Sequence, residues 1–206
     1  MKGIFITFEG IEGCGKSTQA KLLADYLQKT GKEVLFTREP GGPKISEEIR
    51  EILLNNANAE MIPRTEVLLY MASRSQHTSE WIIPALKNGK IVISDRYYDS
   101  TIAYQGAARK IERNIIDMLT TFATFGLKPD ITFLVDLPAE IGLARIEQKD
   151  ADRLERESLD FHKKVRAGFL KIAEQEKDRY IVLNGAKTVN EIHREIIKKI
   201  DEKIRK

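Results

Sequence analysis

The octapeptide Gly10-Ile-Glu-Gly-Cys-Gly-Lys16-Ser17 constrains this chain more than any other stretch, because it satisfies G-x-x-x-x-G-K-[ST] at every position. Its flanks fit. Residues 3–8 are β-branched, aromatic and bounded by Gly, which predicts a buried strand. Residues 17–30 put Ala20, Leu23, Ala24 and Leu27 on one face and stop at Gly31, which predicts a helix. A glycine-rich loop between a strand and a helix N-terminus turns its N–H groups inward and cradles phosphate. The expected triphosphate-binding set is therefore Gly10, Ile11, Glu12, Gly13, Cys14, Gly15, Lys16, Ser17 and Thr18. Lys16 is expected to reach the β- and γ-phosphates and Ser17 to ligate Mg2+. Cys14 has two readings: a small side chain that a tight loop accepts, or a thiol activated by Lys16 and the helix N-terminus, whose alkylation would inactivate the protein.

The rest of the chain alternates in the same way. Short apolar runs at 33–37, 90–94, 130–135 and 180–183 predict four further strands. Helices are predicted over 46–54, 66–87 (with a kink or interruption at Pro84) and 114–125. The last of these is apolar on most sides and so is buried or lies at an interface. A final helix opens on the capping box Thr188-Val-Asn-Glu191 and repeats Ile192, Ile196, Ile200 and Ile204. Strands alternating with helices predict an α/β fold with a mainly parallel sheet, whose ligands bind beyond the carboxyl ends of the strands.

The 206 residues suit a single domain. The lone cysteine excludes an intramolecular disulfide and fits a reducing, cytoplasmic setting. The first ten residues are too short for a signal peptide, and no run approaches the roughly 20 apolar residues of a membrane span. A net charge of +3 leans weakly toward anionic ligands, and without a basic stripe it argues against nucleic acid.

Asp95 ends the run Ile91-Val-Ile-Ser at a Walker B position, where a carboxylate holds the Mg2+ shell. Three further segments each carry an Arg near a strand's carboxyl end. They are Thr37-Arg-Glu-Pro-Gly-Gly42, Tyr70-Met-Ala-Ser-Arg74 and Asp95-Arg-Tyr-Tyr-Asp-Ser-Thr-Ile-Ala-Tyr-Gln-Gly106. Arginine suits bidentate phosphate recognition, so a second phosphate site is expected beside the first. A GTP-hydrolysing switch would need N-K-x-D to read guanine, and the chain has none.

Through T-R-E-P-G-G and D-R-Y-x-D-S-x-x-A-Y-Q-G, the chain resembles the thymidylate kinase family over residues 4–184. The resemblance implies a P-loop kinase fold of the nucleoside monophosphate kinase type: a five-stranded parallel sheet with helices on both faces, a short lid, and a homodimer. It implies transfer of the ATP γ-phosphate to dTMP with Mg2+, a step toward dTTP. It also implies that Tyr70 stacks on thymine, where the family more often has Phe. Arg74 and Gln105 would bond the base edge, and Ser100 and Thr101 would line the same pocket. Arg38 and Arg96 would hold the dTMP phosphate, Glu12 would meet the 3′-hydroxyl, and Tyr104 would crowd a ribose 2′-hydroxyl. The Glu39–Pro40 bond is a candidate for cis.

Asn184-Gly-Ala186 resembles the adenine-side loop. The lid would span 145–157, a charged and so solvent-facing segment that includes Glu147, Lys149 and Asp150. Some members carry an Arg in the P-loop where this chain has Gly13. The lid's Arg145 and Arg153 are therefore the expected donors to the transferring phosphoryl group, with Lys16 and Arg96 completing the catalytic set. The alternatives are another nucleotide or deoxynucleoside kinase, or a P-loop regulatory ATPase.

Overall fold

The structure, a computed structural model, describes residues 3–146 and 151–204. Five strands, β1 (Ile4–Glu9), β2 (Val34–Arg38), β3 (Ile91–Asp95), β4 (Ile131–Asp136) and β5 (Tyr180–Asn184), form one parallel sheet in the order β2-β3-β1-β4-β5. The chain runs outward from β1 to β2, then from β3 across β1 to β4. Right-handed crossovers in opposite directions place their helices on opposite faces. One face takes α1 (Lys16–Lys29), packed on α9 (Val189–Ile204). The other takes the helices after β3.

Strand alternation then divides β1. On the second face Phe5 meets the Tyr97 ring edge-on at 4.9 Å, and Glu9 Oε1 accepts the Tyr97 N–H at 2.8 Å. Ile6 and Phe8 lie on the first face, fully buried. Because both faces are covered, β1, β3 and β4 read as near-continuous apolar runs.

Helix ends follow local chemistry. Gly31, at φ 79°, closes α1 in the left-handed conformation, with Lys32 N–H bonded to the Leu27 carbonyl at 3.1 Å and Gly31 N–H to that of Gln28 at 3.0 Å. At α9 the capping box forms: Glu191 N–H donates to Thr188 Oγ1 at 3.3 Å and Thr188 N–H to Glu191 Oε2 at 2.9 Å. Ile192, Ile196 and Ile200 are buried beneath it.

The single helix expected over 66–87 is three pieces: α3 (Pro63–His77), a π-helical stretch Thr78–Ile82, and α4 (Ile83–Lys87). Pro84 follows the π-helical stretch in an unbroken helical run, from which its missing N–H removes one bond. The other pieces are α2 (Lys44–Leu54), α5 (Tyr98–Thr101) running into a π-helical stretch Ile102–Ala108, α6 (Arg113–Thr124), α7 (Ala139–Leu143) and α8 (Leu159–Gln175). Among the described residues no helix is long and apolar enough to cross a membrane.

α8 has no counterpart in the sequence reading, although its signals are local. Ser158 Oγ accepts the Phe161 N–H at 3.2 Å, and Phe161, Val165, Phe169 and Ile172 form one buried face. The helix packs tightly on Ile102–Ala108. A Cβ at Gly168 would stand 2.9 Å from Ala107 Cβ and 3.1 Å from Ala103 Cα. Gly168→Val should therefore lower unfolding free energy by about 2 kcal/mol, the usual scale of overpacking, read as a lower urea midpoint.

Candidate active site

The loops leaving β1, β2 and β3 open into one cavity of about 260 Å³ at the carboxyl ends of the strands. Its wall includes Glu12, Gly13, Lys16, Ser17, Tyr70, Arg74, Asp95, Arg96, Ser100, Thr101, Tyr104 and Gln105. Residues expected for a triphosphate and for an acceptor thus share one space.

The phosphate loop has the backbone its glycines predict. Gly10, Gly13 and Gly15 stand at φ 142°, 67° and 94°. At Gly13 a Cβ would lie 2.1 Å from the Gly142 carbonyl oxygen, so α7 leaves no room for a side chain there. The N-terminus of α1 has no side-chain cap, which leaves its first-turn N–H groups for a ligand. Ser17 and Thr18 are exposed in that turn, and Lys16 Nζ donates to the Ile11 carbonyl at 3.3 Å. Asp95 Oδ1 is buried without a hydrogen-bond partner among the described residues. An orphaned carboxylate oxygen lining the same cavity as Ser17 fits a Mg2+ site.

Cys14 is 1% exposed, and burial pushes its thiol up despite Lys16. The activated-thiol reading is therefore withdrawn, and the small-side-chain reading stands.

Arg96 follows β3 at φ 73°, a conformation that disfavours any residue but Gly and marks a position fixed by its surroundings. Its N–H donates to the Phe8 carbonyl at 2.9 Å. Its guanidinium donates to Gly10 O, Ser100 Oγ and Glu12 Oε1, each at 3.0 Å, and to the Tyr104 hydroxyl at 3.2 Å. Tyr104 OH also donates to Glu12 Oε1. Burial would raise the Glu12 carboxyl, but Arg96, then His162, Lys16 and Tyr104, hold it well below the usual carboxylate range.

The base-side residues are braced from behind. Arg74, 1% exposed, donates through Nε to Glu39 Oε2 at 2.7 Å, through Nη1 to Thr101 Oγ1 at 2.9 Å and through Nη2 to the Tyr97 carbonyl at 3.2 Å. The Glu39–Pro40 bond is cis. Gln105 Nε2 donates to Glu66 Oε1 at 2.9 Å. Burial would raise Glu66, but the hydrogen bonds from Arg109 and Gln105 outweigh it and lower the carboxyl. Glu66, Tyr70 and Arg74 recur every fourth residue on α3, a signal the sequence reading did not use.

Three arginines differ from expectation. Arg38 lies outside the cavity wall, its guanidinium paired with Glu47 at 2.8 and 3.1 Å, while Arg50 lines the wall instead. Arg153 does not face the phosphate loop: it is buried, donates to the Leu53 carbonyl at 2.9 Å and pairs with Glu66 at 2.7 Å. A buried carboxylate demands such a partner, and the charge count of the segment did not reveal it. Arg145 stays exposed at the rim, donating to the Gly13 carbonyl at 3.0 Å.

The lid expected to face solvent is therefore half inside, with Ala151, Arg153 and Leu154 buried and Asp152, Leu154 and Glu155 lining the cavity. Of the same segment, Glu147, Lys149 and Asp150 lie outside the described residues. In the loop 184–186, expected beside adenine, Gly185 N–H bonds the Asp136 carbonyl at 2.8 Å and Ala186 N–H bonds Asn184 Oδ1 at 2.9 Å.

Glu9 is fully buried one residue before the loop, its Oε2 accepting from Ser100 Oγ at 2.6 Å. Burial, then Asp99, pushes its carboxyl up to about 8. The fold thus holds this proton more tightly than the unfolded chain does. The associated stability is present below the ordinary value of 4.5 and is lost as pH rises through about 8. Glu9→Gln, which cannot ionise, should gain Tm relative to the parent across that window. A Tm difference that stays flat with pH would move the proton to another group.

The chain has been compared with known proteins. The thymidylate kinase family model matches residues 8–196. The thymidylate kinase of Sulfurihydrogenibium sp. is 51% identical over 201 residues, covering 98% of both chains, and that of Geobacter sulfurreducens is 49% identical, covering 89% of both. The crystal structure of the thymidylate kinase from Ehrlichia chaffeensis is 35% identical and superposes with a TM-score of 0.78 over 97% of this chain and 99% of that one. The family model, the identities and the shared architecture agree: this chain belongs to the thymidylate kinase family.

Proposed function

We propose that this protein is a cytoplasmic dTMP kinase, transferring the γ-phosphoryl group of ATP to dTMP to give ADP and dTDP on the route to dTTP. The observation that carries this reading is the single cavity in which Lys16, Ser17 and Asp95 face Tyr70, Arg74, Arg96 and Gln105. A donor phosphate chain laid on the α1 N-terminus would point at an acceptor phosphate beside Arg96. Tyr70 would stack on the base, Arg74 and Gln105 would take its edge, and Ser100, Thr101 and Tyr104 would close the sugar and base pocket.

A phosphate monoester has a second pKa near about 6, so the dTMP phosphate is dianionic at neutral pH and needs no general base. The chemistry then rests on alignment and charge. Lys16, released from the Ile11 carbonyl, neutralises the β- and γ-phosphates. Arg96 and Arg50 bind the acceptor phosphate, a role that Arg38 reaches only if its Glu47 pair opens. Arg145, at the loop rim, is the lid arginine we assign to the transferring group, and Arg153 anchors the lid through Glu66. Ser17 and Asp95 would hold Mg2+, which would supply charge neutralisation for the phosphates. A coupled ADP-release assay with Mg·ATP and dTMP, dUMP, dCMP, UMP and AMP should give dTMP the highest kcat/KM. Another monophosphate ahead of dTMP would keep the phosphate chemistry and overturn the base-pocket assignments.

The reading includes a homodimer. Met118, Phe122 and Phe125 at the end of α6 are exposed by 65%, 81% and 59%, and a groove between α6 and α3 is lined by Ile62, Leu68, Ile115 and Leu119. An apolar face of this kind on a family kinase fits a second copy of the chain. Light scattering after size exclusion should find a dimer for the parent and a monomer for Phe122→Glu, whereas a monomeric parent would overturn it.

A further inference from the structure

Glu66 lies on α3, fully buried, one turn before Tyr70 and two before Arg74, on the face whose Tyr70 and Arg74 line the cavity. Both its oxygens are engaged. Oε1 accepts Gln105 Nε2 at 2.9 Å and Arg109 Nε at 3.2 Å. Oε2 accepts Arg109 Nη2 at 3.2 Å and stands 2.7 Å from Arg153 Nη2 in an ion pair. Two guanidiniums on one buried carboxylate hold it as the anion. Burial opposes this, and the bonds from Arg109 and Gln105 still lower the carboxyl.

An ionised carboxylate accepts hydrogen bonds and donates none. The end that Gln105 turns to Glu66 is therefore its NH2, and the amide has one polarity. The carbonyl Oε1 is the end left over. It has no partner among the described residues, it is not one of the buried polar atoms stranded without one, and Gln105 lines the cavity. The cavity thus receives a hydrogen-bond acceptor at this point, whereas Arg74 in the same wall brings only donors.

We propose that Glu66 is a positioning residue that sets base specificity: by taking the amide nitrogen of Gln105 it leaves a carbonyl oxygen for the base, which admits a pyrimidine with a ring N–H and repels one whose ring nitrogen is a bare acceptor. Thymine and uracil are of the first kind, and cytosine is of the second. This rests on the dTMP kinase reading and adds to it the residue that gives Gln105 its polarity. Glu66 touches no substrate. It acts through the cost of turning the amide over, which would set two oxygens against each other in a buried place.

The test compares dTMP, dUMP and dCMP as acceptors in the parent, Glu66→Gln and Glu66→Asp. Gln at this position offers either a carbonyl or an NH2 and so releases the polarity of Gln105, whereas Asp remains an acceptor only. Glu66→Gln should lower the dTMP-to-dCMP ratio of kcat/KM about tenfold, the scale of one hydrogen bond, and leave the dTMP-to-dUMP ratio at the parent's value. Glu66→Asp should keep both ratios, whatever it does to stability. A loss shared equally by all the acceptors, a dCMP ratio unchanged in Glu66→Gln, or the same fall in Glu66→Asp would make Glu66 a brace only and overturn the proposal. The parent itself covers the case in which neither variant folds. Proton–nitrogen NMR, with the side-chain amide of Gln105 assigned by its absence in Gln105→Leu, should find those protons protected from exchange without ligand and still protected with dTMP. Protons that become protected only when dTMP binds belong to an amide turned to the base and overturn the proposal. Gln105→Leu with the parent's dTMP-to-dCMP ratio would remove Gln105 from base reading, and this proposal with it, while leaving the kinase reading intact. A parent inactive on dTMP would instead fail the kinase reading itself.

Discussion

Arg96 is the point on which the site depends. Its N–H extends the β1–β3 ladder to the Phe8 carbonyl, and its left-handed backbone turns the side chain back over the loop that follows β1. From there one guanidinium reaches Gly10, Glu12, Ser100 and Tyr104. A planar group with five fixed donors can join a loop, the Glu12 carboxylate and the helix after β3 in this way, whereas a Lys cannot. The loop after β1 and the helix after β3 are held in register by this contact set.

Two glutamates three residues apart show how strongly surroundings outweigh residue type. Glu9 is buried against Asp99 and keeps its proton to about pH 8. Glu12 is equally enclosed, but Arg96, Lys16, His162 and Tyr104 stabilise its anion. Burial disfavours both charges: at Glu9 it prevails, with Asp99 adding to it, and at Glu12 the surrounding donors and cations outweigh it. One consequence is a limited negative charge beside the cavity: Glu9 keeps its proton to about pH 8 and Glu12 is compensated.

The acceptor wall is braced by a second layer of carboxylates. Glu39 fixes Arg74, while Glu66 gathers Gln105, Arg109 and Arg153. Removing one partner from such buried pairs leaves an uncompensated charge and costs about 3–5 kcal/mol, so the brace is rigid. Through Arg153 the same layer holds the segment 151–157, which is why Ala151, Arg153 and Leu154 are buried within a highly charged stretch. Charge count predicted solvent exposure there because it carries no information about a carboxylate on a distant helix.

The glycine-rich strand–loop–helix, the α/β alternation, the capping box of α9 and the segments ending at Arg74 and Gly106 whose residues line the cavity are all legible in the sequence, because each is written in neighbouring residues. α8 was equally local in its signals, a Ser cap and apolar residues four apart, and was passed over. What tertiary structure alone decided is direction and company. It turned Arg38 and Arg153 toward Glu47 and Glu66 rather than the cavity, brought Arg50 and His162 to the site, and left the Cys14 thiol buried and protonated. Side-chain direction and protonation depend on partners supplied by other elements, and the spacing of residues along one element does not encode them.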